Sequence, residues 1–161
     1  MRIHVATDHA GLEFSLTVRE HVEARGHEVV DHGPQGYDAL DDYPSFCINA
    51  ARAVARDHAA GVAALGIVLG GSGNGEQMAA NKVRGVRAAL VWSEATATLA
   101  REHNDANVIA IGARQHTVDE ALRFIDVFLA TLFTGDERHE RRIAQLAEYE
   151  STGAIAGHEI V

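Results

Sequence analysis

The chain has 161 residues, 47% of them hydrophobic and 23% charged, enough to bury one core and short for two independent domains. A formal net charge of -9 sets the surface as a whole against nucleic acid and anionic membrane, so any anion site must be built locally. The single cysteine, Cys47, excludes an intrachain disulfide, and without a CxxC pair nothing points to structural zinc or thiol redox chemistry.

Arg2 to Thr7 alternates and is rich in β-formers, which predicts a first strand. Leu12 to Arg25 carries Leu12, Leu16 and Val22 at helical spacing, and Gly26 ends it. His27 to Asp31 reads as a second strand. The stretch from His32 to Tyr43 is rich in Gly, Pro and Asp, as an active-site loop or a plain connection would be. Pro44 opens a helix to about His58. Ala63 to Leu69 is a short apolar run of the kind buried in parallel sheets, and a glycine turn separates it from a helix over Glu76 to Lys82. Val86 to Trp92 and Asn107 to Ile111 supply two more strands around a helix from Ser93 to about His103. Helices over Thr117 to Leu132 and Asp136 to Glu150 close the chain.

Strands alternating with helices across short turns predict an α/β fold: a Rossmann-like three-layer α/β/α sandwich on a five-stranded parallel sheet with right-handed crossovers. Residues 1–152 are expected to form the one domain and 153–161 a tail. No apolar run approaches the roughly 20 residues that span a bilayer. The N-terminus runs into Ile3, Val5 and Ala6 without a signal-peptide pattern, so a cytoplasmic protein with no membrane partner is expected. Of ten histidines, His21, His27, His32, His58 and His116 lie scattered among turns and helix ends without HExxH spacing; they read as solvated side chains.

Ligands of an open parallel sheet bind beyond the carboxyl ends of its strands, which singles out a few places. In Gly70-Gly71-Ser72-Gly73-Asn74-Gly75, the glycines free the backbone to aim several N–H groups at one anion, a phosphate or an enediolate. The turn lacks a dinucleotide GxGxxG with its partner acid and a P-loop GKS or GKT. Glu76 then falls in the first turn of a helix, where a carboxylate is either favoured by the dipole alone or placed as a general base. Asp8 and His9 follow the first strand and face the same crevice; Asp8 also suits a helix cap. His103 and Asn104 end a helix just before the last strand, where a histidine also complements the dipole. Arg138 and Arg142, four apart, could clamp a phosphate, although Glu137, Glu140 and Arg141 fit a solvated face equally. Arg114 follows the last strand. Cys47, between Phe46 and Ile48, reads as a small core residue.

Four stretches taken together resemble the ribose-5-phosphate isomerase B family: Asp8-His9-Ala10-Gly11, Asp42-Tyr43-Pro44, GIVLGGSGNGEQMAANK from Gly66 to Lys82, and REHNDANVIAIGAR from Arg101 to Arg114. The resemblance covers the chain to about Glu150. Much of that family carries a cysteine base at the end of the third strand, where this chain has Gly70. The sequence is instead similar to the actinobacterial branch, in which a glutamate at the end of the turn is the base, and Glu76 holds that position. The resemblance implies His103 as the proton donor in ring opening and Asp8 beside the reacting hydroxyls. Gly71, Ser72, Gly73, Asn74 and Gly75 would hold the enediolate, and His9, Arg138 and Arg142 the phosphate, with Asn104 and Arg114 completing the pocket. It also implies a homodimer with the active site shared across the interface, and leaves higher assembly open.

The activity so implied interconverts D-ribose 5-phosphate and D-ribulose 5-phosphate, a chemistry that asks for no metal and no cofactor. An isomerase of allose 6-phosphate, galactose 6-phosphate or a four-carbon sugar phosphate keeps the chemistry and changes pocket depth. A non-catalytic phosphosugar-binding module would bind without exchanging protons at the sugar C1 or C2.

Overall fold

Apolar runs of five to seven residues suit strands covered on both faces, and the chain places two of them, Ala64–Gly70 and Val108–Gly112, inside a parallel sheet. The structure is a computed structural model that describes residues 1–160. Its strands are β1 (Arg2–Ala6), β2 (Glu28–Asp31), β3 (Ala64–Gly70), β4 (Ala88–Leu90) and β5 (Val108–Gly112). Its helices are α1 (Leu12–Ala24), α2 (Tyr43–Ala59), α3 (Asn74–Ala80), α4 (Glu94–Asn104), α5 (Val118–Ala130) and α6 (Glu137–Thr152). The strands are hydrogen-bonded in the order β2-β1-β3-β5-β4, and every pairing is parallel. The α/β class and the parallel sheet expected from the sequence are what forms.

Strand parity divides the core in two. Ile3, Val5, Leu65, Ile67, Leu69, Ile109 and Ile111 point to one face and are covered by α1, α4 and α5. Ala6, Val68, Val108 and Ala110 point to the other, under α2 and α3. Cys47 is fully buried in this second layer, a core residue as expected. The face of α1 differs from expectation: Phe14, Val18 and Val22, spaced by four, go inward, and Leu16 stands 48% exposed. That spacing matches the 3.6-residue period better than Leu12, Leu16 and Val22 do.

Two helix starts are fixed by capping boxes, Ser93 with Thr96 on α4 and Thr117 with Glu120 on α5. β4 is an edge strand and shorter than the apolar run from Val86 to Trp92 suggests. Asn81 holds it in place, donating Nδ2–H to the Ala88 carbonyl at 2.9 Å and accepting the Ala88 N–H at 2.8 Å. α6 lies outermost, with His139 as its buried residue. Among the described residues no helix is long and apolar enough to cross a membrane.

Candidate active site

The carboxyl ends of β1 and β3 meet the glycine turn, because the residues there are small enough for backbones to touch. A Cβ on Gly11 would lie 2.3 Å from Thr7 Oγ1 and 3.4 Å from the Gly70 nitrogen, so only glycine lets the start of α1 press on the end of β3. Asp8, on that corner, is buried and accepts the Ala10 N–H at 2.9 Å.

Gly70 closes β3 opposite Gly112 of β5. A Cβ on Gly70 would stand 1.8 Å from Glu76 Oε1 and 2.1 Å from its Cδ, so the Glu76 carboxylate fills the space that a side chain at position 70 would need. The turn returns on itself through Gly73, whose φ of 79° is left-handed, and α3 begins at Asn74. α3 thus starts two residues earlier than the sequence suggests and puts Glu76 at its third position. Glu76 is only 4% exposed. Burial raises its pKa above the usual glutamate range, the Asp8 charge adds to the rise, and the backbone N–H groups of Glu76 and Gly73 oppose it.

The turn is braced from three sides. The Ala113 N–H bonds the Gly70 carbonyl at 2.7 Å and the Arg114 N–H bonds the Gly71 carbonyl at 3.2 Å. The Tyr43 ring lies against Gly75, where a Cβ would come within 2.5 Å of its hydroxyl. The Arg114 guanidinium reaches over Gly71, with Nη1 3.6 Å from where a Cβ would stand. With the carbonyls of Gly70 and Gly71 turned into the loop after β5, the N–H groups of Gly71 and Ser72 meet no protein acceptor among the described residues. A backbone held this way presents donors to an anion without reorganising.

His9 lies beside this cradle. Its backbone N–H and its ring Nδ1 both bond Asp41 Oδ1, at 3.0 and 2.6 Å, and this partner raises its pKa. Asp8, His9 and Asp41 carry donor atoms within 4.8 Å of one another, and His9 Nδ1 is already engaged by Asp41 Oδ1.

The remaining expected residues form a second group elsewhere. His103 and Asn104 end α4, and Arg138 and Arg142 lie in the first half of α6. The His103 ring stacks on His139 with centroids 4.3 Å apart, and Arg138 lies 3.7 Å from Asp136. His139 is buried; its Nε2 has no hydrogen-bond partner among the described residues and lies 3.8 Å from Asp136 Oδ2. α4 leads down to the amino end of β5, whereas the glycine turn lies beyond its carboxyl end. At about 3.3 Å per strand residue, the length of β5 separates the two groups by roughly 15 Å. Within one chain, therefore, Asp8, His9, the turn, Glu76 and Arg114 come together, and His103, Asn104, Arg138 and Arg142 do not join them.

Sequence reasoning passed over Asp41 and His139 and gave Tyr43 no contact with the turn. Asp41 lies in the Gly- and Asp-rich segment before α2, which was legible only as a loop, and Tyr43 is the first residue of α2; His139 was hidden among the charges of α6. The scattered histidines are also better anchored than a solvated reading allows. His21 bonds Asp126 at 2.8 Å, His58 bonds the Ala64 carbonyl at 2.6 Å, and His32 bonds His4 at 2.9 Å.

Residues 3–146 match the Ribose/Galactose Isomerase family. Ribose-5-phosphate isomerase B of Mycobacterium tuberculosis is 55% identical over 152 residues, 94% of this chain and 91% of that protein. A crystal structure of ribose-5-phosphate isomerase B from Mycoplasma genitalium with bound ribulose 5-phosphate superposes with a TM-score of 0.89 at 44% identity, covering 94% of this chain and 97% of the other. The Clostridium thermocellum ribose-5-phosphate isomerase B gives a TM-score of 0.88 at 37% identity, over 96% and 100% of the two chains. A carboxylate folded over the end of β3, a braced glycine turn and full-length likeness to these enzymes lead to one assignment: the chain belongs to the Ribose/Galactose Isomerase family, in its ribose-5-phosphate isomerase B group.

Proposed function

We propose that this chain interconverts D-ribose 5-phosphate and D-ribulose 5-phosphate, with residues 1–152 as the isomerase domain and 153–160 of its tail outside the chemistry. The observation that carries this reading is the buried Glu76 carboxylate over Gly70, next to unpaired N–H donors of the turn. In the open-chain aldose, Glu76 removes the C2 proton as the C1 carbonyl takes up the electron pair. Charge on the resulting cis-enediolate falls on oxygens facing the turn from Gly71 to Gly75. Glu76 then returns its proton to C1, and the C2 hydroxyl proton passes to O1, leaving a ketone at C2. A general base of this kind contributes on the order of 10²–10⁴-fold, and fixed N–H donors supply the rest by stabilising developing charge.

His103 is the proton donor that helps open the sugar ring, with Asp8 close to the reacting hydroxyls. His9 and Arg114 from one side, and Arg138 and Arg142 from the other, hold the phosphate, and Asn104 completes the pocket. Phosphate gripped far from C1 and C2 orients those carbons and lends binding energy to the step. Arg142→Ala is accordingly expected to raise KM for ribose 5-phosphate at least tenfold with a smaller change in kcat. Unchanged affinity for a phosphorylated competitive inhibitor would remove Arg142 from the phosphate site. Ribose 5-phosphate should also be turned over faster than six-carbon phosphates in a matched assay; the reverse preference would reassign the substrate.

A homodimer follows from the same reading, because the His103 group cannot reach Glu76 of its own chain across the sheet. A two-fold axis lets each chain's His103, Arg138 and Arg142 complete the partner's cradle. Glu76→Gln and His103→Asn are each expected to be nearly inactive alone. Mixed and allowed to exchange subunits, they should recover about a quarter of wild-type turnover, since half the dimers then hold one site free of both lesions. No recovery despite demonstrated exchange would mean that each chain builds its own site.

A further inference from the structure

Asp41 is given no role by the chemistry above, yet it is the most closely engaged carboxylate at the mouth of the site. It lies two residues before α2, at the end of the long loop after β2, 32 positions from the histidine it holds. One oxygen, Oδ1, accepts from both the backbone N–H and the ring Nδ1 of His9. Two donors from one residue on one acceptor fix the ring relative to its own backbone. Tyr37 meets the ring edge-on, with centroids 6.2 Å apart.

We propose that Asp41 is a positioning residue which directs His9 Nε2–H at the substrate's phosphate and keeps the imidazole charged. This rests on the reading of His9 as a phosphate ligand. With Nδ1 bound to Asp41, the proton on Nε2 is the one left for a ligand, and a cationic ring donates more strongly to a phosphate oxygen than a neutral one. The Asp41 side chain is only 9% exposed, and its Oδ2 is buried with no donor among the described residues. Its charge is therefore balanced mainly through the two bonds to His9, which in turn favours the protonated ring.

The charged and polar groups facing His9 come from three segments. Asp8 stands at the end of β1, Asp41 and Tyr37 in the loop before α2, and Arg114 in the loop after β5. Asp41 raises the His9 pKa most, partial burial lowers it, Asp8 raises it and Arg114 lowers it. Removing Asp41 leaves Asp8 alone in support of the charge. A raised pKa keeps His9 cationic to higher pH. Its loss should therefore weaken phosphate binding most above neutrality and least in acid, where the ring is protonated in either protein.

The test is kcat and KM for ribose 5-phosphate from pH 5.5 to 9 in the wild type, Asp41→Asn, Asp41→Glu and His9→Asn, with inorganic phosphate as competitive probe. Taking variant-to-wild-type ratios cancels the titration of the phosphate itself. Asp41→Asn is expected to raise KM and the phosphate inhibition constant about tenfold at pH 8 and by less than about threefold at pH 5.5, with kcat changed little. Asp41→Glu should recover most of the loss. A KM ratio that is flat with pH, or a fall in kcat alone, overturns the proposal, since a merely structural aspartate would act that way. If His9→Asn leaves KM and phosphate inhibition unchanged, the phosphate reading of His9 and this inference fall together. If His9→Asn weakens both while Asp41→Asn weakens neither, only the inference about Asp41 fails.

Discussion

Glu76→Gln is expected to lower kcat by about 10³-fold while leaving the affinity for a phosphorylated inhibitor within a few-fold. The amide keeps the shape and volume of the side chain over Gly70 and the contact with the turn, but it has no lone pair basic enough to take a proton from carbon. On the proposed reading binding rests on the turn, His9 and the arginines, and an isosteric amide leaves each of them in place. Turnover within tenfold of wild type would remove Glu76 as the base.

Stability gives an independent reading of the same substitution. The folded-state pKa of Glu76 is raised, chiefly by burial, so the folded protein holds that proton to a higher pH than the unfolded chain does. The side chain is therefore best tolerated below its unfolded pKa, and its ionisation opposes folding increasingly as pH rises through the folded value. Glutamine, always neutral, is spared this opposition. The Tm of Glu76→Gln relative to wild type should rise from acid to neutral pH, and a falling difference would contradict the burial argument. The same raised pKa should shift the acid limb of the kcat/KM profile above that of an ordinary glutamate.

The pattern of the fold was legible because strand and helix periods are strong signals where both faces of a sheet are covered. β3 reads as a strand from the apolar run Ala63 to Leu69, and Leu65, Ile67, Val68 and Leu69 of that run are core contacts. Errors arose where a residue's partner lies far along the chain. A stripe through Leu12, Leu16 and Val22 is apolar in sequence, but the packing of α1 on β1, β2 and α5 takes Phe14, Val18 and Val22 inward. The Asn81 bonds to β4 cross seven residues of turn, and the Asp41 bonds to His9 cross 32; neither spacing has a sequence period. The candidate residues were legible as chemistry, but not as two groups at opposite ends of β5. Residue type says what a side chain does, whereas the end of a strand it occupies follows from the direction of α4.

The opposition of Gly70 and Glu76 yields the second large effect. Gly70→Ala is expected to lower kcat about 10²-fold with the fold intact, because an Ångström-scale displacement of a catalytic group has a cost of that order. The new Cβ would sit 1.8 Å from Oε1, so one of the two must move, and the carboxylate is the end of a flexible side chain while Gly70 is held by pairing opposite Gly112 and by the Ala113 N–H. Turnover within twofold of wild type would show that Glu76 acts from somewhere other than the space over Gly70. The reciprocal exchange tests the geometry from the other direction. In Gly70→Cys combined with Glu76→Ala, a thiol stands where the carboxylate was, at the position where much of the family carries its cysteine base. That double variant is expected to exceed Glu76→Ala alone in kcat and to lose the gain on treatment with iodoacetamide. Cys47 does not confuse the assay: it is fully buried and burial pushes its thiol far above the usual range, so wild type should resist the reagent. A double variant no better than Glu76→Ala would mean that the two families of base need different turns as well as different side chains.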